Sequence, residues 1–299
     1  MSPPGIQNEQ MPLAGLYLAI FFLAMTGLFA KMIPLNAISI IQLRGVFATF
    51  GLAGFMFLYQ RKFRISGIKD FIGVYLLGLL LGIHWVAFFY SMQVSTVAVG
   101  MLSLYSYPVI TILLEPLFSQ RRVKFGDLFA GVIVFVGLLI MVSQDIGELQ
   151  RPVVQGVLWG VFSAILFSLR NIFQKYYFNN LSSECLMFHQ VISVGLMLAP
   201  FVDYPLVHKL AAIDWLKIGL LGLICTAGAH TLLVFTLKRM SVKSVSLISC
   251  LQPVIATLLA WFFIQEVPTV LVLVGGSIVL SVAGYESLSI ARGGKYRSC

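Results

Sequence analysis

Ten stretches of this chain are long and apolar enough to cross a bilayer, and that restricts its possible folds more than any other feature. They lie near 13–32, 37–59, 70–91, 96–118, 125–143, 153–174, 184–204, 214–236, 243–264 and 269–290. A helix needs about 20 predominantly apolar residues to span the hydrocarbon core. Within that core every backbone N–H and C=O must find a partner inside the protein, which leaves helices and closed barrels. The runs do not alternate between lipid-facing and lumen-facing residues as barrel strands do. The expected fold is therefore all-α and polytopic, with ten transmembrane helices. Composition agrees, at 59% hydrophobic and 10% charged, against about a quarter charged in a soluble chain. The segment before Leu13 carries no Lys or Arg, so no cleavable signal is expected and the first run stays as a helix.

A net charge of +9 would suggest nucleic acid in a soluble protein. Here the cations sort by membrane side instead. The breaks after helices two, four, six and eight and the C-terminal tail hold fourteen Lys and Arg residues, among them Arg61, Lys62, Arg121, Lys175, Lys238 and Arg297. The breaks after odd-numbered helices hold only Lys31, Arg151 and Lys209. Positive charge collects in cytoplasmic loops, so both termini are expected in the cytoplasm, with the chain a multi-pass protein of the inner (cytoplasmic) membrane. No nucleic-acid partner is implied.

The chain also matches itself at a shift of 145 positions. Thr96 to Phe118 and Ser241 to Phe263 share Val97/Val242, Leu102/Leu247, Pro108/Pro253, Leu114/Leu259 and Phe118/Phe263, and the register continues through Gly131/Gly276. Internal duplication in an apolar chain is a mark of transporters. The expected organisation is a tail at 1–12, a repeat over 13–143, a linker at 144–152, a second repeat over 153–290 and a tail at 291–299. Five spans per copy is an odd number, which turns the second repeat upside down relative to the first.

These residues together resemble a known family. Ten spans in a five-plus-five inverted repeat, Leu43-Arg44 in helix two, the segment from His84 to Leu102, the two Pro-Val-Ile helices and Gln265-Glu266 at the end of helix nine are similar to the EamA-type branch of the drug/metabolite transporter superfamily. The resemblance implies a secondary transporter, exporter or exchanger, of a small metabolite such as an amino acid or its derivative. It also implies alternating access around a midplane cavity lined by the middle helices of each repeat. No cofactor is implied, and independently the chain has no GxxxxGK[ST] loop for ATP.

Candidate functional residues follow from the cost of polarity in lipid. Arg44 lies about eight residues into helix two, too deep to escape easily, and would bind a substrate carboxylate or phosphate or else clamp backbone carbonyls. Arg170 and Glu115 stand nearer helix ends, where a charged side chain can snorkel. His84 and His230 occupy nearly matching repeat positions. Each can take up a proton near neutral pH or serve as a neutral core histidine, so a proton is one possible co-transported partner and a counter-substrate the other. Trp85, Phe88, Tyr105, Tyr107 and Gln252 complete the expected substrate contacts. The aromatic members of that set would line a cavity or simply pack. Asn171, Gln174, His189, Gln190 and Trp159 are further candidates.

Pro108 and Pro253 fall mid-span, where proline deletes a backbone hydrogen bond and kinks a helix; the alternatives are a paired hinge and a static kink. Gly78 and Gly82, and the pair Gly131 and Gly276, are read as helix-packing sites. Cys185, Cys225, Cys250 and Cys299 show no metal or disulfide spacing. The rival classes are an intramembrane lipid-modifying enzyme and a passive channel. Against the enzyme, no HExxH or GxSxG motif occurs. Because both halves of the repeat lie in one chain, a monomer suffices.

Overall fold

The structure is a computed structural model and describes residues 7–65, 67–118, 125–143, 150–178, 181–237, 249 and 251–293. Every regular element among the described residues is a helix, and none is a strand. The first copy of the repeat comprises α1 (Gln7–Met32), α2 (Ala37–Leu58), α3 (Ile68–Val94), α4 (Val97–Leu104), α5 (Tyr107–Leu114) and α6 (Phe125–Met141). The second comprises α7 (Pro152–Tyr177), α8 (Ser183–Leu198), a one-turn surface helix α9 (Tyr204–Val207), α10 (Ala212–Gly222), a π-helical segment (Leu223–Gly228), α11 (Ala229–Leu237), α12 (Leu251–Ile264) and α13 (Val270–Gly293).

Six helical stretches are long and apolar enough to cross a membrane: Leu13–Met32, Ala37–Leu58, Ile68–Val94, Pro152–Tyr177, Glu184–Phe201 and Ala212–Leu233. Four shorter apolar helices, Val97–Thr111, Leu128–Met141, Leu251–Ile264 and Val270–Val282, fall where the sequence places the other four spans. Lipid-facing stripes accompany them. On α6 the exposed Phe125, Phe129, Val132 and Val136 recur every three or four residues, the spacing of one helix face.

Two of the expected continuous spans are interrupted. The fourth breaks at Tyr105 and Ser106, and Pro108 stands in the first turn of α5, where a missing N–H costs nothing because that turn has no intrahelical acceptor to lose. The eighth changes to π-helical winding at Leu223–Gly228. Pro253 is the third residue of α12 as described, and 238–248 and 250, including Lys238, Arg239, Lys243 and Cys250, lie outside the described residues. So do the cations at 121–124 and beyond 293. Cys185 and Cys225 are free and buried, as small apolar groups.

The two copies interlock reciprocally. α1 packs on α11 and α12, and α7 packs on α3, α4 and α5, so the first helix of each copy docks against the third and fourth spans of the other. α2 packs on α10 and the π segment while α8 packs on α3; α2 and α8, and α6 and α13, pair with each other. The apolar core follows this weave, with Leu81, Trp85, Phe89, Met92, Ile40, Ile218 and Leu221 in one continuous cluster.

Glycines set several of the crossings. A Cβ on Gly78 would stand 2.8 Å from the Gln190 carbonyl oxygen, so α3 lies against α8 there. The crossing of α6 and α13 is at Gly137 and Gly275: a Cβ on Gly137 would stand 2.9 Å from the Gly275 carbonyl oxygen. It is not at the repeat-matched Gly131 and Gly276, which face Leu113 and Leu102 instead. The sequence match aligns ancestry, whereas the crossing point depends on which residues the helix rotation turns inward.

Two ion pairs stand at opposite ends of the broken fourth span. At its start, Lys31 at the end of α1 meets Glu266 beyond α12 at 3.0 Å and donates to the Ser95 carbonyl at 2.6 Å, while the Glu266 carboxylate accepts from the Val97 N–H at 2.9 Å. At its finish, Glu115 accepts from Lys175 of α7 at 2.6 Å and from the Tyr176 hydroxyl at 2.8 Å. Glu115 is therefore paired across helices rather than extended alone toward the surface.

Candidate functional site

The side chains that could meet a substrate are positioned by two helix irregularities and one close approach. α2 starts cleanly at Asn36, whose side chain accepts from the Ser39 N–H at 2.9 Å. Two turns later Arg44 points at α3 and the π segment. Gly222 lets α10 come up beside it, since a Cβ at 222 would stand 2.8 Å from the Arg44 carbonyl oxygen. π-helical turns widen a helix by one residue and concentrate at functional sites. Here the turn presents Thr226, whose hydroxyl donates to the Leu221 carbonyl at 2.8 Å and accepts from Arg44 Nε at 3.1 Å.

Arg44 is only 2% exposed. Its guanidinium lies 4.2 Å from the Trp85 ring centroid and 5.2 Å from that of Phe89, an aromatic cradle suited to a delocalised cation. Nε is engaged by Thr226, but among the described residues neither Nη donates a hydrogen bond and no carboxylate pairs the charge. Trp85 also lies 6.2 Å from the ring of His230. Arg44, Trp85 and His230 thus form one group.

His84 begins a second group. Its Nδ1 lies 2.7 Å from Ser163 Oγ and 3.0 Å from the Ser163 carbonyl oxygen on α7. Its ring stacks on Phe167 at 4.8 Å and parallel to Phe88 at 6.3 Å. Phe167 in turn meets Tyr107 edge-on at 5.0 Å, and Tyr107 meets Tyr105 at 5.8 Å. The Tyr105 hydroxyl donates to the Ser249 carbonyl at 2.5 Å and lies 3.1 Å from Gln252 Oε1, across the break in the fourth span. Because Trp85 directly follows His84, the two groups adjoin on α3. All eight expected contact residues are therefore connected through two runs of contacts meeting at His84 and Trp85.

The structure adds residues that the sequence did not single out. Thr226, Ser163 and Phe167 hold Arg44, His84 and Tyr107, and only the three-dimensional contact identifies them. Arg170 does not snorkel to the surface. It turns inward, donating to Gln190 Oε1 from Nε at 3.1 Å and Nη2 at 2.6 Å and to Asn171 Oδ1 at 3.1 Å. Trp159 stands apart, 40% exposed against Tyr90 and Phe162, and His189, midway along α8, bonds the Phe63 carbonyl beyond the end of α2. No group of three or more His, Cys, Asp or Glu suited to a metal ion occurs among the described residues.

Comparison with known proteins gives a consistent result. The chain is 24% identical to an uncharacterised transporter of Bacillus subtilis (strain 168), over 98% of this chain and 94% of that one. It is 22% identical to an S-adenosylmethionine uptake transporter of Rickettsia felis, over 82% of this chain and 81% of that one. A crystal structure superposes with a TM-score of 0.63 at 14% identity, covering 95% of this chain and 99% of the other, which establishes a shared fold. The EamA-like transporter family matches twice, at residues 11–143 and 154–285. The chain is a two-copy membrane protein of the EamA-like transporter family, within the drug/metabolite transporter superfamily.

Proposed function

We propose that this chain is a ten-span secondary transporter that carries a small carboxylate-bearing metabolite, such as an amino acid or its derivative, by alternating access between two inverted repeats. The observation that carries this reading is Arg44: an arginine 2% exposed, its guanidinium backed by Trp85 and Phe89, with both Nη groups uncommitted among the described residues. A mid-membrane arginine costs about 3 kcal/mol to insert, and its planar fork matches a carboxylate. The named substrate of the Rickettsia relative, S-adenosylmethionine, is an amino-acid derivative with such a group. The substrate would sit between the Arg44–Trp85–His230 group and the His84–Phe88–Tyr107–Tyr105–Gln252 group. Pro108 and Pro253 would be the hinges, since each lies within three residues of the Tyr105–Gln252 contact.

The reciprocal packing of the copies supports rocking of one repeat against the other. With both termini in the cytoplasm of an inner-membrane protein, the Lys31–Glu266 pair lies on the outer face and Lys175–Glu115 on the inner. Each joins the first helix of one copy to the end of the fourth span of the other, so the two pairs are suited to close alternate faces. Transport is coupled to a proton or to a counter-substrate, in export or exchange.

Counterflow in proteoliposomes holding the full chain tests the reading. Saturable uptake of labelled amino acids or S-adenosylmethionine, stimulated by internal unlabelled substrate, is expected. Arg44→Gln should lower apparent affinity at least tenfold, with Arg44→Lys intermediate. Non-saturable flux without counter-stimulation would mean a channel, and unchanged affinity in Arg44→Gln would remove Arg44 from the site.

A further inference from the structure

Arg170 and Gln190 leave more hydrogen-bond donors unused than a structural tie requires. The guanidinium carries five N–H groups. Three hydrogen bonds from it reach Gln190 Oε1 and Asn171 Oδ1, so two N–H groups are left over. Gln190 is 0% exposed, and its Nε2 meets no acceptor among the described residues. Rotating that amide would not help, because it would turn the NH2 toward the arginine. Among the described residues that leaves four unused N–H groups around one positive charge, the two on Gln190 fully buried. An unmade bond on a buried polar group costs about 1–3 kcal/mol.

The placement is specific. Ser163, Phe167, Arg170 and Gln174 follow one another on α7 at spacings of four, three and four, which puts them on one helix face. That face holds His84 through Ser163 and Phe167. Seven residues further along, Arg170 is about 10 Å nearer the end of α7, the end that carries Lys175 and its bond to Glu115. Gln190 reaches over from α8, and α3 packs on both α7 and α8. Arg170 therefore lies between the Arg44 and His84 groups and the Lys175–Glu115 end of the bundle. Arg170, unlike Gln190, stays half-buried.

We infer that Arg170 and Gln190 form a second carboxylate-binding site, distinct from Arg44 and set on the Lys175–Glu115 side of it. Its ligand is the carboxylate of a small organic anion or zwitterion. One carboxylate oxygen takes the Gln190 Nε2–H and the other a free guanidinium N–H, while the Gln174 Oε1, also without a donor among the described residues, is available to an ammonium or hydroxyl on the same molecule. This rests on the transporter reading in one respect: it gives the substrate a second station on its way to the inner face.

The test uses the full chain purified in detergent, with succinate and L-glutamate as probes. Each is measured by thermal stabilisation against its amide and against sodium chloride of equal ionic strength. The informative background is Arg44→Gln, which removes the first site. Carboxylate-specific stabilisation is expected to persist there and to weaken at least tenfold in apparent affinity when Gln190→Glu is added. Gln190→Glu keeps an oxygen for Arg170 and replaces the free donor with an acceptor, so the fold survives and its own melting temperature does not fall. Gln190→Leu is the second variant and should weaken binding likewise.

Absence of carboxylate-specific stabilisation in Arg44→Gln overturns the inference, as does stabilisation indifferent to Gln190→Glu. Density for water alone beside Gln190 in probe-soaked protein would overturn it too. Binding lost in Arg44→Gln but unaffected by Gln190→Glu leaves the single-site transporter standing. Binding that depends on Gln190 without saturable counterflow would instead sink the transporter reading.

Discussion

Among the described residues the Arg44 side chain makes one hydrogen bond, and its geometry depends on it. Thr226 holds Nε, while Trp85 and Phe89 flank the guanidinium. Thr226→Val keeps the shape and removes the hydroxyl. A hydrogen bond to a charged group contributes about 1.5–3 kcal/mol, so apparent substrate affinity measured by counterflow should fall about tenfold or more. Ser163→Ala acts on a different scale. His84 Nδ1 keeps the Ser163 carbonyl as a partner at 3.0 Å, so the loss is about 1 kcal/mol, read as a small drop in melting temperature with transport retained. Arg44, His84 and the aromatics around them were legible as residue types that lipid does not tolerate or reward. Their partners Thr226, Ser163 and Phe167 were not, because a threonine, serine or phenylalanine in an apolar run carries no signal until a neighbour touches it.

Elements decide where the chain can move. The fourth span divides into α4 and α5, and the eighth carries a π segment, so the two spans nearest the candidate site are also the irregular ones. Deleting one residue within Leu223–Gly228 would restore α-helical winding, leave His230 in register and remove the widened turn that presents Thr226 to Arg44; apparent substrate affinity measured by counterflow should fall. The crossing of α6 and α13 tolerates no side chain at Gly275, where a Cβ would collide with the Gly137 carbonyl oxygen. Gly275→Ala should cost about 1–3 kcal/mol, whereas Gly284→Ala, which meets nothing within 4 Å, should leave the melting temperature unchanged. Glu266→Gln removes the charge that holds Lys31 and weakens the cap on α4. Spin labels at Met32 and Val267, on a background without native cysteines, should then report a broader and longer distance distribution. The periodic apolar runs made the helices readable. The breaks were less so, since proline at 108 signals a break but π winding has no residue of its own.

At the scale of the molecule, the two copies form one interlocked body, with the first and second helices of each packed on the middle spans of the other. The proposed rocking would turn about the shared α2–α8 and α6–α13 contacts. A green fluorescent protein fused after Cys299 should fluoresce, and alkaline phosphatase at the same point should stay inactive; the opposite pair of results would reverse the orientation and exchange the inner and outer assignments of the two ion pairs. The sequence by itself determined the class, the duplication and the family, because apolar run length, charge bias and the 145-residue shift are properties of the chain read in order. Only the tertiary structure decided which polar groups meet. The inward turn of Arg170 onto Gln190, the grip of Thr226 on Arg44 and the glycine crossing at 137 and 275 all depend on how each helix is rotated about its axis. That rotation is set by side-chain packing across distant residues, the Arg44–Thr226 bond alone joining positions 182 apart, which no local pattern encodes.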